Sequence, residues 1–528
     1  MEWLENLRLD WEETARNLRL ARRVLAIEPE GALTAADAIE ASVRRAPNRI
    51  AVRFEDRALR YAELDAEANR VARWAQRQGL ARGDVVALLM ENRPEYVATW
   101  IGLAKLGVVT ALINTNLAGG PLAHSLRISG AKQLVLGAEL SDRYAAAAPQ
   151  LESPPRVWLR GGDLPGVEDL DSALAAESGA GFDPAARAAL RAKDNLFYIY
   201  TSGTTGLPKA ANFSHHRFLA TSIGFGVGSD LAGEDCTYVA IPLYHTAGLV
   251  AAAGAALVAG SGVALARRFS VSRFWSDCVR HDATVFQYIG ELCRYLLAGP
   301  PHPDETRHRL RLAIGNGLRT DVWSAFQGRF RIPKIVEFYG ATEGNISLVN
   351  GRGRVGAVGR VPRVLRKAMG TRIVRFDVER EEVVRGADGL CVECAPGETG
   401  ELLGRIRERG LVRFEGYSDE RATAQKILRD VFEKGDAYFR SGDLLRSDAE
   451  GFYYFVDRIG DTFRWKGENV ATGEVADVLT SFAGVREANV YGVRVAGNEG
   501  RAGMAALVAD ADLDLAGLYA HVERNLAV

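Results

Sequence analysis

The segment YIYTSGTTGLPKAA, Tyr198–Ala211, decides how the rest of the chain is read. A β-rich apolar run, Leu196–Tyr200, leads into Thr201, Ser202, Gly203, Thr204, Thr205 and Gly206, with Lys209 close behind. Glycines let backbone N–H groups approach phosphate oxygens, the hydroxyls add donors, and the lysine adds a positive charge. A strand feeding such a loop reads as a phosphate cradle. Its Gly, Lys and Ser/Thr spacing is not that of a Walker loop. An ordinary Gly/Thr-rich turn has no need of these donors behind an apolar strand.

On either side of this loop, helical patterns alternate with short apolar runs. RGDVVALLM (82–90) precedes a helix expected over Glu95–Lys105, and GVVTALI (107–113) and KQLVL (132–136) follow. This alternation predicts an α/β core with a largely parallel sheet. From about Thr371 the runs shorten, as in TRIVRF, EEVVR and GELLGRI, which predicts a smaller β-rich subdomain over about 371–456. The sharpest expected boundary is VDRIGD (456–461), giving domains at 1–456 and 457–528. No Lys, Arg, Asp or Glu occurs between Asp235 and Arg267, but the stretch is rich in alanine and broken by Pro242 and several glycines. Alanine supplies little insertion energy, so strand, buried helix, strand is expected there rather than a membrane span.

Size and charge narrow the functional classes. A chain of 528 residues, 47% hydrophobic, exceeds the usual single core. With 66 basic and 67 acidic side chains the formal charge is -1, so no whole-chain basic field draws nucleic acid or anionic lipid. Five cysteines and no secretory signal at the amino terminus suggest reduced thiols and a cytoplasmic protein. Cys391 and Cys394 form a CVEC pair without the second ligand pair that tetrahedral zinc needs. The opening segment places Trp3, Leu7 and Trp11 at helical spacing, followed by Arg16, Arg19, Arg22 and Arg23. Such a helix can lie on a membrane surface or pack on its own domain.

Taken together, the phosphate loop and five later motifs resemble the adenylate-forming superfamily, which includes acyl-CoA synthetases, peptide-synthetase adenylation domains and firefly luciferase. EFYGATEG (337–344) resembles its adenine-site segment, which implies Tyr339 and Gly340 at the adenine, Thr342 near the phosphates and Glu343 on Mg²⁺. Asn316 and Gly317, in AIGNGLR, resemble the loop bordering the adenine. Asp443, in YFRSGDLL, and Arg458, in VDRIGD, resemble the ribose-binding acid and a conserved arginine. Tyr244 and His245, in IPLYHTAG, match the gate beside the carboxylate tunnel. Lys209, Thr342, Glu343 and His245 are the implied catalytic set.

Three longer segments, FQYIGELCRYLL (286–297), 414–445 and 456–479, look most like the very-long-chain acyl-CoA synthetase and fatty-acid transport protein branch. That resemblance implies a large domain of two α/β subdomains plus the β-rich one, followed by a small α+β domain. It implies ATP, Mg²⁺ and coenzyme A, a fatty acid activated to its acyl-adenylate and passed to the thiol, and no nucleic-acid partner. It allows a homodimer and peripheral membrane contact through the first helix. Arg464–Asn469, with Lys466 and Gly467, would form the hairpin offered to the pantetheine tunnel. Gly460 stands where many relatives have a charged hinge residue. The sequence runs to Val528 without the family's Gly-Lys segment, so the small domain is expected to be truncated and adenylate formation slow for want of that lysine. Three other outcomes share parts of this reading: a lipid-uptake or acid-binding protein without efficient turnover, an acyl-AMP ligase loading a carrier protein, and a ligase for steroid or bile acids.

Overall fold

The computed structural model describes residues 2–202, 207–362, 366–407, 413–465, 468–495 and 501–526. The chain packs into two units. One is Met1–Gly315, Phe330–Ile335 and Arg407–Ala424; the other is Asn316–Arg329, Val336–Ile406 and Gln425–Val528.

Parallel strands covered on both faces read as continuous apolar runs, and the first unit is built on such runs. One sheet has the order Glu168–Asp169, Arg156–Arg160, Gln133–Gly137, Val85–Leu89, Val109–Leu112, Asn195–Ser202, Pro208–Ser214. All its neighbours are parallel except the last pair, a hairpin. A second sheet runs Leu312–Asn316, Val285–Ile289, Cys236–Val239, Gly262–Leu265, Ile50–Phe54, Arg57–Arg60. The expected helix over Glu95–Lys105 is Pro94–Leu106, with Pro94 in its first turn and Gly107 closing it at φ +77°. Proline at the start and a left-handed glycine at the end are the residues those positions favour. Every residue of this helix but Glu95 is buried, which explains its lack of a polar face.

The charge-free stretch is strand Cys236–Val239, a buried helix, and strand Gly262–Leu265, as expected. The helix opens as a π-helix, Ala247–Gly254, before continuing as α-helix Ala255–Ala259. The first helix spans Glu2–Leu25; the side chains of residues 1–13 lie outside the described residues. Its later part packs against helix His215–Gly228, with Val24 buried. Among the described residues no helix is long and apolar enough to cross a membrane.

In the second unit, strands Ile335–Gly340 and Ser347–Asn350 form a hairpin. A β-rich sheet follows in the order Gly359–Arg360, Phe452–Arg458, Ala437–Ser447, Thr399–Arg405, Thr371–Asp377, Glu382–Val383. Ile427–Arg429 pairs with Ala437–Ser447 off that path. Toward the carboxy terminus, strands Val485–Val493 and Ala502–Ala509 pair antiparallel, with helices Thr472–Thr480 and Leu515–Asn525 beside them.

Candidate active site

In the first unit the loop expected to cradle phosphate is carried by the hairpin Asn195–Ser202 and Pro208–Ser214. The register places Thr201 opposite Lys209 and Ser202 opposite Pro208. Gly203, Thr204, Thr205 and Gly206, with the side chain of Ser202, lie outside the described residues. The Thr201 hydroxyl is buried without a hydrogen-bond partner. Such an orphan is costly unless another group completes it, and it sits at the start of the loop that the sequence marks as a candidate phosphate cradle. The Lys209 ammonium stands 5.8 Å from the Tyr417 ring centre, a cation–π contact that fixes the amine without neutralising it. Nearby, the Ser214 N–H donates to the Glu415 carboxylate at 2.8 Å, which pins 413–417 to the same hairpin.

Tyr244 and His245 follow strand Cys236–Val239, their rings 4.3 Å apart. The Tyr244 hydroxyl accepts from Asn116 Nδ2 at 3.1 Å. Burial lowers the His245 pKa, so the imidazole is neutral near pH 7.

The second unit gathers the other motifs. Gly317 adopts φ +76°, a conformation suited to glycine, and the next N–H, that of Leu318, donates to Glu337 Oε1 at 3.0 Å. Glu337 is buried in strand Ile335–Gly340, so the loop carrying Asn316 and Gly317 is tied to the strand carrying Tyr339 and Gly340. The Tyr339 hydroxyl donates to Asp443 Oδ2 at 2.5 Å. Asp443 pairs with Arg458 across strands Ala437–Ser447 and Phe452–Arg458, with Arg458 Nε 3.7 Å from Asp443 Oδ1. Burial raises the Asp443 pKa, and the charge of Glu343 acts in the same sense. The Tyr339 hydrogen bond, Arg458 and Lys426 oppose it.

Thus Tyr339, Glu343, Asp443 and Arg458 come together, and a carboxylate with one oxygen held by a phenol is oriented to accept from a diol. Glu343 is buried, with Thr342 beside it in sequence and half-buried. A hard dication shared with a polyphosphate needs only one or two protein carboxylates, and this donor set fits it. Among the described residues no group of three or more His, Cys, Asp or Glu side chains forms an all-protein metal cage.

Gly460 lies just after Phe452–Arg458 at φ +98° with open space around it. Strands Phe463–Trp465 and Glu468–Val470 pair antiparallel where a hairpin over Arg464–Asn469 was expected; Lys466 and Gly467, between them in sequence, lie outside the described residues. Lys426, Tyr417 and Glu415 were not singled out from the sequence. Each lies in the segment 414–445 that carries the branch resemblance, but reaches its motif partners only through strand pairing or chain return.

The family model described as "AMP-binding enzyme" matches residues 39–417 of the sequence. The chain belongs to the AMP-binding enzyme family. Among its relatives, the long-chain fatty acid transport protein 1 of Mus musculus is 45% identical over 500 residues, covering 92% of this chain and 77% of that protein. The long-chain fatty acid transport protein 6 of Mus musculus is 42% identical over 502 residues, covering 94% and 80%. Among solved structures, ATP-bound MatB from Rhodopseudomonas palustris superposes with a TM-score of 0.77 at 25% identity, covering 94% of this chain and 93% of that one. An anthranilate CoA ligase in complex with anthranoyl-AMP gives a TM-score of 0.80 at 21% identity, covering 95% and 92%. The fold is therefore that of the ATP-using, adenylate-forming ligases.

Proposed function

We propose that this AMP-binding enzyme activates a long-chain or very-long-chain fatty acid with ATP and transfers the acyl group to coenzyme A, releasing AMP and pyrophosphate. The observation that carries the reading is the Tyr339–Asp443–Arg458 cluster, with Glu343 acting on the same carboxylate. It supplies an aromatic face for a base, an oriented acceptor for two ribose hydroxyls, and an acidic group for the metal. The fatty-acid class rests on the long-chain fatty acid transport proteins among the relatives.

In this reading the substrate carboxylate attacks the α-phosphorus and pyrophosphate leaves. The protein's part is alignment and charge compensation. Lys209 and the loop from Thr201 to Gly206 hold the phosphates, and Thr342 adds a hydroxyl. Glu343 would hold Mg²⁺, which when bound neutralises phosphate charge. Asn316, Gly317, Tyr339 and Gly340 frame the adenine, and Asp443 and Arg458 the ribose. Tyr244 and neutral His245 gate the acid. In the second step the coenzyme A thiolate attacks the acyl carbon and AMP departs. Gly460 serves as hinge, and Lys466 and Gly467 meet the pantetheine. The large domain would span 1–456 and the mobile one 457–528.

The test is ATP–pyrophosphate exchange over acids from acetate to very long chains, sterol acids included, followed by coenzyme A or a carrier protein as acceptor. Exchange that rises with chain length and yields acyl-CoA supports the reading. Exchange only with sterol acids, or transfer only to a carrier, would redirect it. Acid binding without exchange would leave a lipid-binding protein.

A further inference from the structure

The turn that carries Tyr244 and His245 is held by a residue far away in sequence. Asn92 lies between strand Val85–Leu89 and helix Pro94–Leu106 and is only 4% exposed. Its Nδ2 donates to Ile241 O at 2.9 Å and to Ala266 O at 3.0 Å. Its Oδ1 accepts from the Leu243 N–H at 2.8 Å. Both amide donors and the acceptor are thus used, all on main-chain groups. Only a primary amide presents two donors and an acceptor in one plane at this reach. Ile241 and Leu243 follow strand Cys236–Val239, and Ala266 follows its neighbour Gly262–Leu265. One side chain from the connection after a first-sheet strand therefore holds the main chain beyond two strands of the second sheet, on one of them just before Tyr244.

A second feature packs against one of the same carbonyls, that of Ile241. Tyr244 and His245 run directly into the π-helix Ala247–Gly254. A Cβ placed on Gly248 would lie 2.6 Å from Pro242 O and 3.0 Å from Ile241 O, so this helix packs backbone to backbone on the turn. π-helical turns cost regular hydrogen bonding and concentrate at functional sites. The Tyr244 ring is in turn held through its hydroxyl by Asn116, on the segment after strand Val109–Leu112. The turn is over-determined from three directions, more than a surface connection requires, and all three restraints converge on the pair proposed to gate the acid.

We propose that Asn92 is a positioning residue for acid activation, acting through the main chain of Ile241 and Leu243 to set where Tyr244 and His245 stand, with the Gly248 contact as its counterpart. The inference rests on the reading of Tyr244 and His245 as the acid gate.

The test measures acid-dependent ATP–pyrophosphate exchange and thermal stability for the wild type, Asn92→Asp, Gly248→Ala and each combined with Tyr244→Phe. Asn92→Asp cannot donate to Ile241 O or Ala266 O, and Gly248→Ala pushes on Pro242 from the other side. Each is expected to lower kcat/KM for the acid about 10- to 100-fold, and to alter preference among chain lengths, with KM for ATP within about twofold. Adding Tyr244→Phe to either should cost less than the separate losses imply, because both act on one group. The proposal is overturned by parallel loss of acid and ATP parameters tracking the fall in Tm, or by full additivity with Tyr244→Phe. Gly248→Ala keeps the test open if Asn92→Asp does not fold. A wild type without acid-dependent exchange would remove the functional reading and this inference with it. An active wild type with acid parameters unmoved in Asn92→Asp and Gly248→Ala would remove the inference alone.

Discussion

Asp443 has the most constrained surroundings of the candidate residues. Half-buried beside Tyr339, Arg458, Lys426 and Glu343, it is harder to ionise than an ordinary carboxyl. Only the ionised form can accept from both hydroxyls of a ribose. Affinity for ATP should therefore be full above its titration and fall as pH drops through it, at a higher pH than an unperturbed aspartate would show. Asp443→Ala should raise KM for ATP and abolish that pH dependence; an unchanged KM would remove the ribose role. Glu343→Gln should lower exchange by about 10²–10³-fold, the usual cost of losing a group that compensates developing charge, while Tm changes little. Unaltered exchange in Glu343→Gln would remove the metal assignment. Tyr339, Asp443 and Arg458 could be picked out from the sequence because each sits in a dense local motif. Lys426 could not, because its approach to Asp443 depends on the pairing of Ile427–Arg429 with Ala437–Ser447. Asn92 was equally hidden, since its partners lie about 150 residues away.

The helix Pro94–Leu106 shows how an element can carry a cost and a constraint together. Lys105 within it is 1% exposed and meets Asp65 Oδ1 at 2.6 Å, Asn69 Oδ1 at 2.6 Å and Glu40 Oε1 at 2.9 Å. Arg187 joins the same group through Asp37 and Glu40. Replacing a buried cation leaves carboxylates without their partner, so Lys105→Met should destabilise the protein by ~3–5 kcal/mol in chemical denaturation. A loss under about 1 kcal/mol would mean that the pair behaves as a surface one. The limits of this helix were readable from Pro94 and Gly107, whereas its buried lysine looks like any last-turn cation. The π-helix was unreadable for a different reason: AGLVAAAG fits several helical periods, and close packing of Gly248 on the turn accompanies the one adopted. At Gly460, φ +98° lies outside the range open to proline. Gly460→Pro should therefore change adenylation and thioester formation unequally when the two are measured separately. Equal losses in both would indicate misfolding rather than a hinge.

Across the whole chain, the alternation of apolar runs and helical patterns was enough to expect parallel sheets, because buried strands leave an unbroken apolar signature. Near Thr371 the runs shorten, and the strand Thr371–Asp377 there belongs to an antiparallel sheet that also takes in Gly359–Arg360. The interleaving of the two units was not legible. Each is assembled from three separate segments, and periodicity along a sequence carries no information on contacts between distant stretches. The chain belongs to the AMP-binding enzyme family, and the function proposed for it requires that the acid's own oxygen attack the α-phosphorus. The most direct measurement supplies the protein with ATP, coenzyme A and a long-chain fatty acid labelled with ¹⁸O in its carboxylate, and reads the AMP and acyl-CoA by mass spectrometry. Equal amounts of acyl-CoA and AMP are expected, with one ¹⁸O in each AMP. Acyl-CoA accompanied by unlabelled AMP, or by ADP and labelled phosphate, would contradict it.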